Sequence, residues 1–383
     1  MSILSALHTS RRPATAFVLI GLFWGCFAAH VPVFKEGLGV NDAIFGTLLL
    51  GSATGLVASM FLAPLADRIL KARSMQVGAV MLAFAWLLPA IAFTPLLFAI
   101  SLAFVGMASG LLDVVMNARV SELEAKTGRS LMNANHAMFS VGYAVGAIVV
   151  SFTREAGIPP VFVFAAFGVI ALFTIGYLQM EVADVQAEDG YVGSYPLWPI
   201  FLCGAIVLVA FMSEATVEAW SALHIERTLG GGAAEGAFGP AMLGITMAFG
   251  RFSGQAVSDR LREVHVVYWA SAIAAIGAII AATAVSPLYA YIGFGILGLG
   301  VSVIGPMGLA LVGKVVPPHM RTEAISKVAV IGFSGFFLAP VLMGFVSEAF
   351  GLRMAFFSVA GLLLVAVPLA RMASNLPENG RGS

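Results

Sequence analysis

Apolar stretches of about twenty residues follow one another along nearly the whole chain, divided by short polar or proline-marked breaks. A helix needs about 20 predominantly apolar residues to cross the hydrocarbon core of a bilayer. The pattern therefore predicts twelve spanning helices, over approximately 13–34, 43–66, 75–94, 96–118, 132–153, 159–180, 197–223, 237–258, 266–285, 288–313, 325–347 and 353–373. Breaks at Thr94-Pro95, Pro159-Pro160, Ser286-Pro287 and Pro317-Pro318 mark several boundaries, because the residue before a proline disfavours helical backbone.

Composition agrees with that pattern. Of 383 residues 60% are hydrophobic and only 10% charged, against roughly 25% charged in a soluble domain. Such a chain cannot cover a water-facing surface, so lipid is its main solvent. Lys+Arg and Asp+Glu balance at 20 each, which gives no basic excess for a nucleic-acid partner. Cys26 and Cys203 both fall in apolar stretches and read as small buried hydrophobes, without a disulfide framework. The first apolar run follows Arg11-Arg12 and exceeds the roughly 7–15 residues of a signal-peptide core, so it reads as a retained helix.

The placement of charge gives direction. Fifteen of the 20 basic residues fall in the termini and even-numbered loops; Lys35, Arg154, Arg227 and Arg353 lie on the opposite side, and Arg251 lies within a helix. That bias predicts both termini in the cytoplasm. A repeat accompanies it: Asp67-Arg68 returns as Asp259-Arg260, and Gly142 and Glu155 correspond to Gly335 and Glu348. Two parallel six-helix halves are expected, 1–180 and 197–383, joined by a cytoplasmic linker over 181–196 that holds Asp184, Glu188 and Asp189.

The stretch Ala63-Pro64-Leu65-Ala66-Asp67-Arg68-Ile69-Leu70-Lys71-Ala72-Arg73 resembles the loop between helices two and three of the major facilitator superfamily. It departs at Ala63 and Leu70, where glycine is usual, and Ala72 interrupts the basic run. The resemblance implies an all-α polytopic fold of twelve transmembrane helices in two pseudo-symmetric halves, and a bacterial-type inner membrane. It further implies a central cavity lined by helices one, four, seven and ten, and a cytoplasmic gate at Asp67, Arg68, Asp259 and Arg260. The run Asp113, Asn117, Arg119, Glu122, Arg129, Asn133, His136, Ser140, Gly142 and Gly146 is similar to the bacterial branch holding the rhizopine-associated membrane proteins, near fucose-permease-like sugar transporters. Leu102 to Leu112 contains no basic residue, and Ala147 follows Gly146 where drug/proton antiporters tend to have proline; both argue against a multidrug exporter.

Ionisable groups within spans cost about 2.5–3.5 kcal/mol each at mid-membrane by insertion scales, so each needs a partner or a wet cavity. Glu214 and Glu218 are four residues apart and share a helix face. Two carboxylates at that spacing repel if both ionise, which suits a site that takes up and releases a proton; the structural alternative is capping of the helix end. Asp113, one turn before Asn117, fits proton exchange and hydrogen bonding to a polyol, or a pair with Arg119. His30 and His136 are candidates for substrate binding, or simply satisfy backbone carbonyls. Arg251 must meet an acid, a carbonyl or an anionic substrate, and bracing is the structural alternative. No ligand spacing supports a metal and no phosphate-binding loop is present, so neither a cofactor nor an enzyme activity is expected. Four glycine pairs, Gly51/Gly55, Gly106/Gly110, Gly142/Gly146 and Gly250/Gly254, predict close helix contacts. Glycines around Gly298 and Pro306 predict a bend in the tenth helix.

These features predict a monomeric, proton-coupled secondary transporter of a small polar, sugar- or cyclitol-like solute, with protons, substrate and the lipid bilayer as partners. Efflux of amphipathic compounds and a non-transporting receptor or scaffold are the alternatives.

Overall fold

In a computed structural model the described residues are 3–181, 197–257, 262–317 and 320–375, and among them the regular structure is all helical. The reason is the solvent: lipid offers no hydrogen bonds, so each spanning segment must satisfy its own backbone. After a short helix at Ile3–Thr9 come α1 (Arg11–Leu38), α2 (Asp42–Leu48 and Leu50–Leu70), α3 (Ser74–Ala85 and Leu87–Ile91), α4 (Pro95–Thr127), α5 (Met132–Glu155) and α6 (Pro160–Thr174). Then follow α7 (Leu197–Leu223), α8 (Ala233–Val257), α9 (Glu263–Thr283), α10 (Pro287–Val315), α11 (Arg321–Phe350) and α12 (Leu352–Ser374). Each of the twelve expected spans coincides with a helix, or a pair of helical segments, among the described residues. Gln255, Ala256, Val257 and Thr322 are described by backbone alone.

Local chemistry sets the ends. Pro95, Pro160 and Pro287 open α4, α6 and α10, where a missing N–H costs nothing. Thr94 Oγ1 accepts from Leu97 N at 3.3 Å, and Asn41 Oδ1 from Ile44 N at 2.8 Å. Gly39 and Gly128 close α1 and α4 at φ of 63° and 64°, a left-handed turn that glycine adopts without strain. The interruption of α3 at Trp86 follows from Pro89, which cannot donate to the carbonyl of Ala85. α4 runs nine residues past its expected end at 118, to Thr127, because apolarity stops at Arg119 but helix-forming sequence does not. α10 is continuous through Pro306.

The same packing pattern recurs in each half. α1 packs on α5, α2 on α4 and α3 on α6; α7 likewise packs on α11, α8 on α10 and α9 on α12. Between the halves, α5 packs on α8 and α2 on α11, two contacts that the repeat exchanges. Glycine permits the closest approaches. A Cβ on Gly21 or Gly25 would lie 2.0 Å from Phe139 O or 1.9 Å from Tyr143 O, and one on Gly55 would lie 1.9 Å from Ala103 O. Three of the four expected glycine pairs make such contacts. Gly254 does not, since its nearest neighbour would be Val303 Cγ1 at 3.6 Å.

The two ends of the molecule differ. The near end is the one where the described chain begins and ends; the far end is opposite. At the far end Asp42–Leu48 presses on the last turns of α11, with Gly46 so placed that a Cβ would lie 2.3 Å from Pro340 O. Toward the near end the second segment of α2 barely meets α11. The halves are clasped at the far end, while α5 and α8 stay packed together toward the near end.

Candidate functional site

At the junction of α5, α7 and α8, Arg251 gathers three partners. Its guanidinium donates to Glu214 Oε1 at 3.3 Å, to Ser140 Oγ at 2.5 Å and to the His136 carbonyl at 3.4 Å. Glu214 is 5% exposed and the Arg251 side chain 11%. A charge this deep is tolerated because an ion pair and two further oxygens replace its water. Glu214 and Arg251 belong to one half, Ser140 and His136 to the other, so the cluster bridges the boundary between halves. Glu218 lies one turn along α7 and has no hydrogen bond among the described residues. Tyr143 of α5 is within electrostatic reach of both carboxyls, and its buried hydroxyl has no hydrogen-bond partner among the described residues.

The other expected residues divide. His136 supplies its carbonyl, while its ring packs edge-on against Phe17 at 5.0 Å. Asn117 Nδ2 donates to Asp113 Oδ1 at 3.1 Å and to the Asp113 carbonyl at 2.8 Å. No ion pair joins Asp113 to Arg119 among the described residues; that alternative is replaced by an intrahelical amide contact. His30 lies apart from the cluster. It is fully buried, with Nδ1 2.9 Å from the Cys26 carbonyl and its ring 5.8 Å from that of Phe164. It belongs to an aromatic packing layer with Phe34 and Trp86, the carbonyl-satisfying alternative. Sequence spacing could not say which way this side chain turns.

At the near end Asp67 accepts two bonds from Arg119 Nη2, at 2.5 and 2.6 Å, and Arg119 also pairs with Glu122. Arg119 is 1% exposed and ties α2 to α4. Arg68 is exposed. Asp259 and Arg260 lie outside the described residues.

The far end holds a clasp that sequence reasoning missed. Buried Asp42 accepts from Arg227 at 2.5 Å and Ser347 Oγ at 2.5 Å and pairs with Lys35 at 2.9 Å, while its own N–H donates to Glu348 Oε2 at 2.9 Å. Beside it Arg154 pairs with Glu226 at 2.6 Å and donates to the Ala29 carbonyl at 3.0 Å. A π turn, His224–Thr228, ends α7 and presents Glu226 and Arg227 to the opposite half. The four basic residues of the minority side thus have structural employment: Arg353, the last, donates to the Ala282 carbonyl at 2.8 Å. The signal available was the company they keep, since Asp42 and Glu226 sit within the same breaks.

Twelve spans, recurrent packing in two halves and a charged cluster at their boundary define a membrane transporter. The Major Facilitator Superfamily matches residues 14–296 and 202–382, and the chain belongs to that family, a family of transporters rather than enzymes. It is 32% identical over 365 residues to an uncharacterized MFS-type transporter of Yersinia pestis, covering 93% of each chain. It is 26% identical over 373 residues to the membrane protein MosC of Rhizobium meliloti, covering 95% of this chain and 91% of that one. Among solved structures, a bacterial homolog of the human lysosomal transporter Spinster, inward-facing and occupied, superposes with a TM-score of 0.79 at 14% identity, covering 97% of both chains. The nucleoside transporter NupG superposes with a TM-score of 0.73 at 15% identity, covering 96% of this chain and 100% of that one. These two likenesses speak to the fold alone.

Proposed function

We propose that the chain is a proton-coupled secondary transporter of a small polar organic solute, sugar- or cyclitol-like, working by alternating access. The observation that carries this reading is Arg251, which holds Glu214 in its own half and Ser140 and the His136 carbonyl in the other. Two carboxyls, Glu214 and Glu218, face a single guanidinium there. In a site removed from water an unbalanced charge is costly, and a proton taken up by one carboxyl removes the imbalance. Protonation of Glu214 frees Arg251 for a substrate oxygen or for release from α5, which links proton, solute and the boundary between halves. Asp113 and Asn117 supply hydroxyl-binding groups on α4, with Asp113 a second site for the proton.

The boundaries proposed are 1–180 and 197–383, with the linker between. Both termini face the cytoplasm of a bacterial-type inner membrane, and the functional unit is a monomer. In that orientation the far end is the outer face, and Asp42, Arg154 and Glu226 form its closed gate. Asp67 with Arg68 stands at the inner gate, and Asp259 with Arg260 is the counterpart in the other half. The test is flux of a panel of sugars and cyclitols into proteoliposomes under an imposed pH gradient. Flux that follows the gradient and is uncoupled by Glu214→Gln or Asp113→Asn is expected. Flux indifferent to the gradient and to both substitutions overturns the coupling, and broad transport of amphipathic compounds overturns the substrate class.

A further inference from the structure

A second site lies on the lipid-facing side of the C-terminal half, away from the Arg251 cluster. Two hollows of about 580 and 410 Å³ adjoin there and share His265 and Trp269. The larger is an apolar furrow between α9 and α10, walled by Trp269, Ile273, Leu299 and Val303. Its floor is the close contact of the two helices, where a Cβ on Gly300 would lie 2.4 Å from Ala270 O. The smaller opens toward the near end, lined by Tyr268 with Arg371 and Ser374 from the last turn of α12.

The chemistry changes along this furrow. Trp269 is 70% exposed on the second turn of α9, a position and residue type that suit the headgroup level. Arg371 is exposed and has no ion pair among the described residues. The nearby acid Glu263 is already held by Lys314 at 2.6 Å. Exposed Arg262 and His265 add to the basic character of the mouth. An apolar furrow ending in a cation with no ion pair among the described residues is complementary to an amphiphile with acyl chains and an anionic head.

We propose that this furrow is a binding site for an anionic phospholipid of the near-end leaflet, its acyl chain along Trp269, Ile273 and Val303 and its phosphate at Arg371. The assignment stands apart from the transport reading and survives its failure. The test is native mass spectrometry of the full-length protein released from detergent with phosphatidylglycerol or phosphatidylcholine. Wild type retains phosphatidylglycerol in preference to phosphatidylcholine. Arg371→Gln lowers retention about fivefold, the change equivalent to the ~1 kcal/mol that one basic residue contributes beside anionic lipid. Arg371→Lys restores it, and Ile273→Trp, which fills the furrow without altering charge, lowers it as well. Gel filtration and circular dichroism identify misfolded variants, and the Lys variant keeps the charge test independent of folding. Equal retention of the two lipids by wild type, or phosphatidylglycerol retention unchanged in both Arg371→Gln and Ile273→Trp, overturns the proposal.

Discussion

Removing the charge of Glu226 should open the far end. Glu226 and Arg154 pair at 2.6 Å across the boundary between halves, with side-chain exposures of 18% and 7%. Breaking a fully buried pair costs about 3–5 kcal/mol, whereas an exposed pair contributes at most about 1 kcal/mol. This pair lies between those limits and near water, so Glu226→Gln should favour opening by about 2 kcal/mol. At 1.4 kcal/mol per tenfold, that is a shift of about 30-fold in the equilibrium. A 99:1 preference for the closed far end would fall to about 3:1. Spin labels at Glu155 and Thr283, exposed far-end positions in opposite halves, read this as a second, longer distance in double electron–electron resonance. The reversed pair, Arg154→Glu with Glu226→Arg, should recover much of the short distance, though not the bond from Arg154 to the Ala29 carbonyl. A distance distribution unchanged by Glu226→Gln would refute the clasp.

Other substitutions test other parts of the argument. Gly25→Ala places a Cβ 1.9 Å from a backbone oxygen, so thermal unfolding in detergent should show a loss of about 1–3 kcal/mol; Gly254→Ala, with its nearest neighbour at 3.6 Å, should stay within about 0.5 kcal/mol of wild type. Asp67→Asn leaves Arg119 with Glu122 alone and should cost about 2 kcal/mol in the same assay. Glu214→Gln should abolish accumulation driven by a pH gradient while solute exchange across proteoliposomes persists, because the substitution removes a proton site and keeps the side-chain volume; loss of both activities would assign Glu214 to substrate binding instead.

The parts that were legible share a physical basis. Span number and most boundaries follow from one-dimensional rules, such as the apolar length of a crossing and proline at a helix start. The need of Arg251 for an acid, a carbonyl or an anionic substrate was equally legible, because an isolated cation at membrane depth is too costly to occur. Which acid it meets was not. Glu214 lies on another helix, and the choice depends on how α7 and α8 rotate against each other. His30 shows the same limit in reverse: its span was correct, yet its ring turns into the packing layer with Phe164. The far-end clasp was the least visible. Asp42 meets Ser347 from the other half, and each residue alone reads as an ordinary polar break between spans.

Sequence by itself determined that this chain crosses a membrane twelve times in two related halves, because hydropathy and repeat are properties of residues in order. Tertiary structure decided which charges meet and where the two halves clasp. Those facts depend on helix rotation and on the contact of segments hundreds of residues apart, where a shift of one residue turns a side chain by about 100° to a different neighbour.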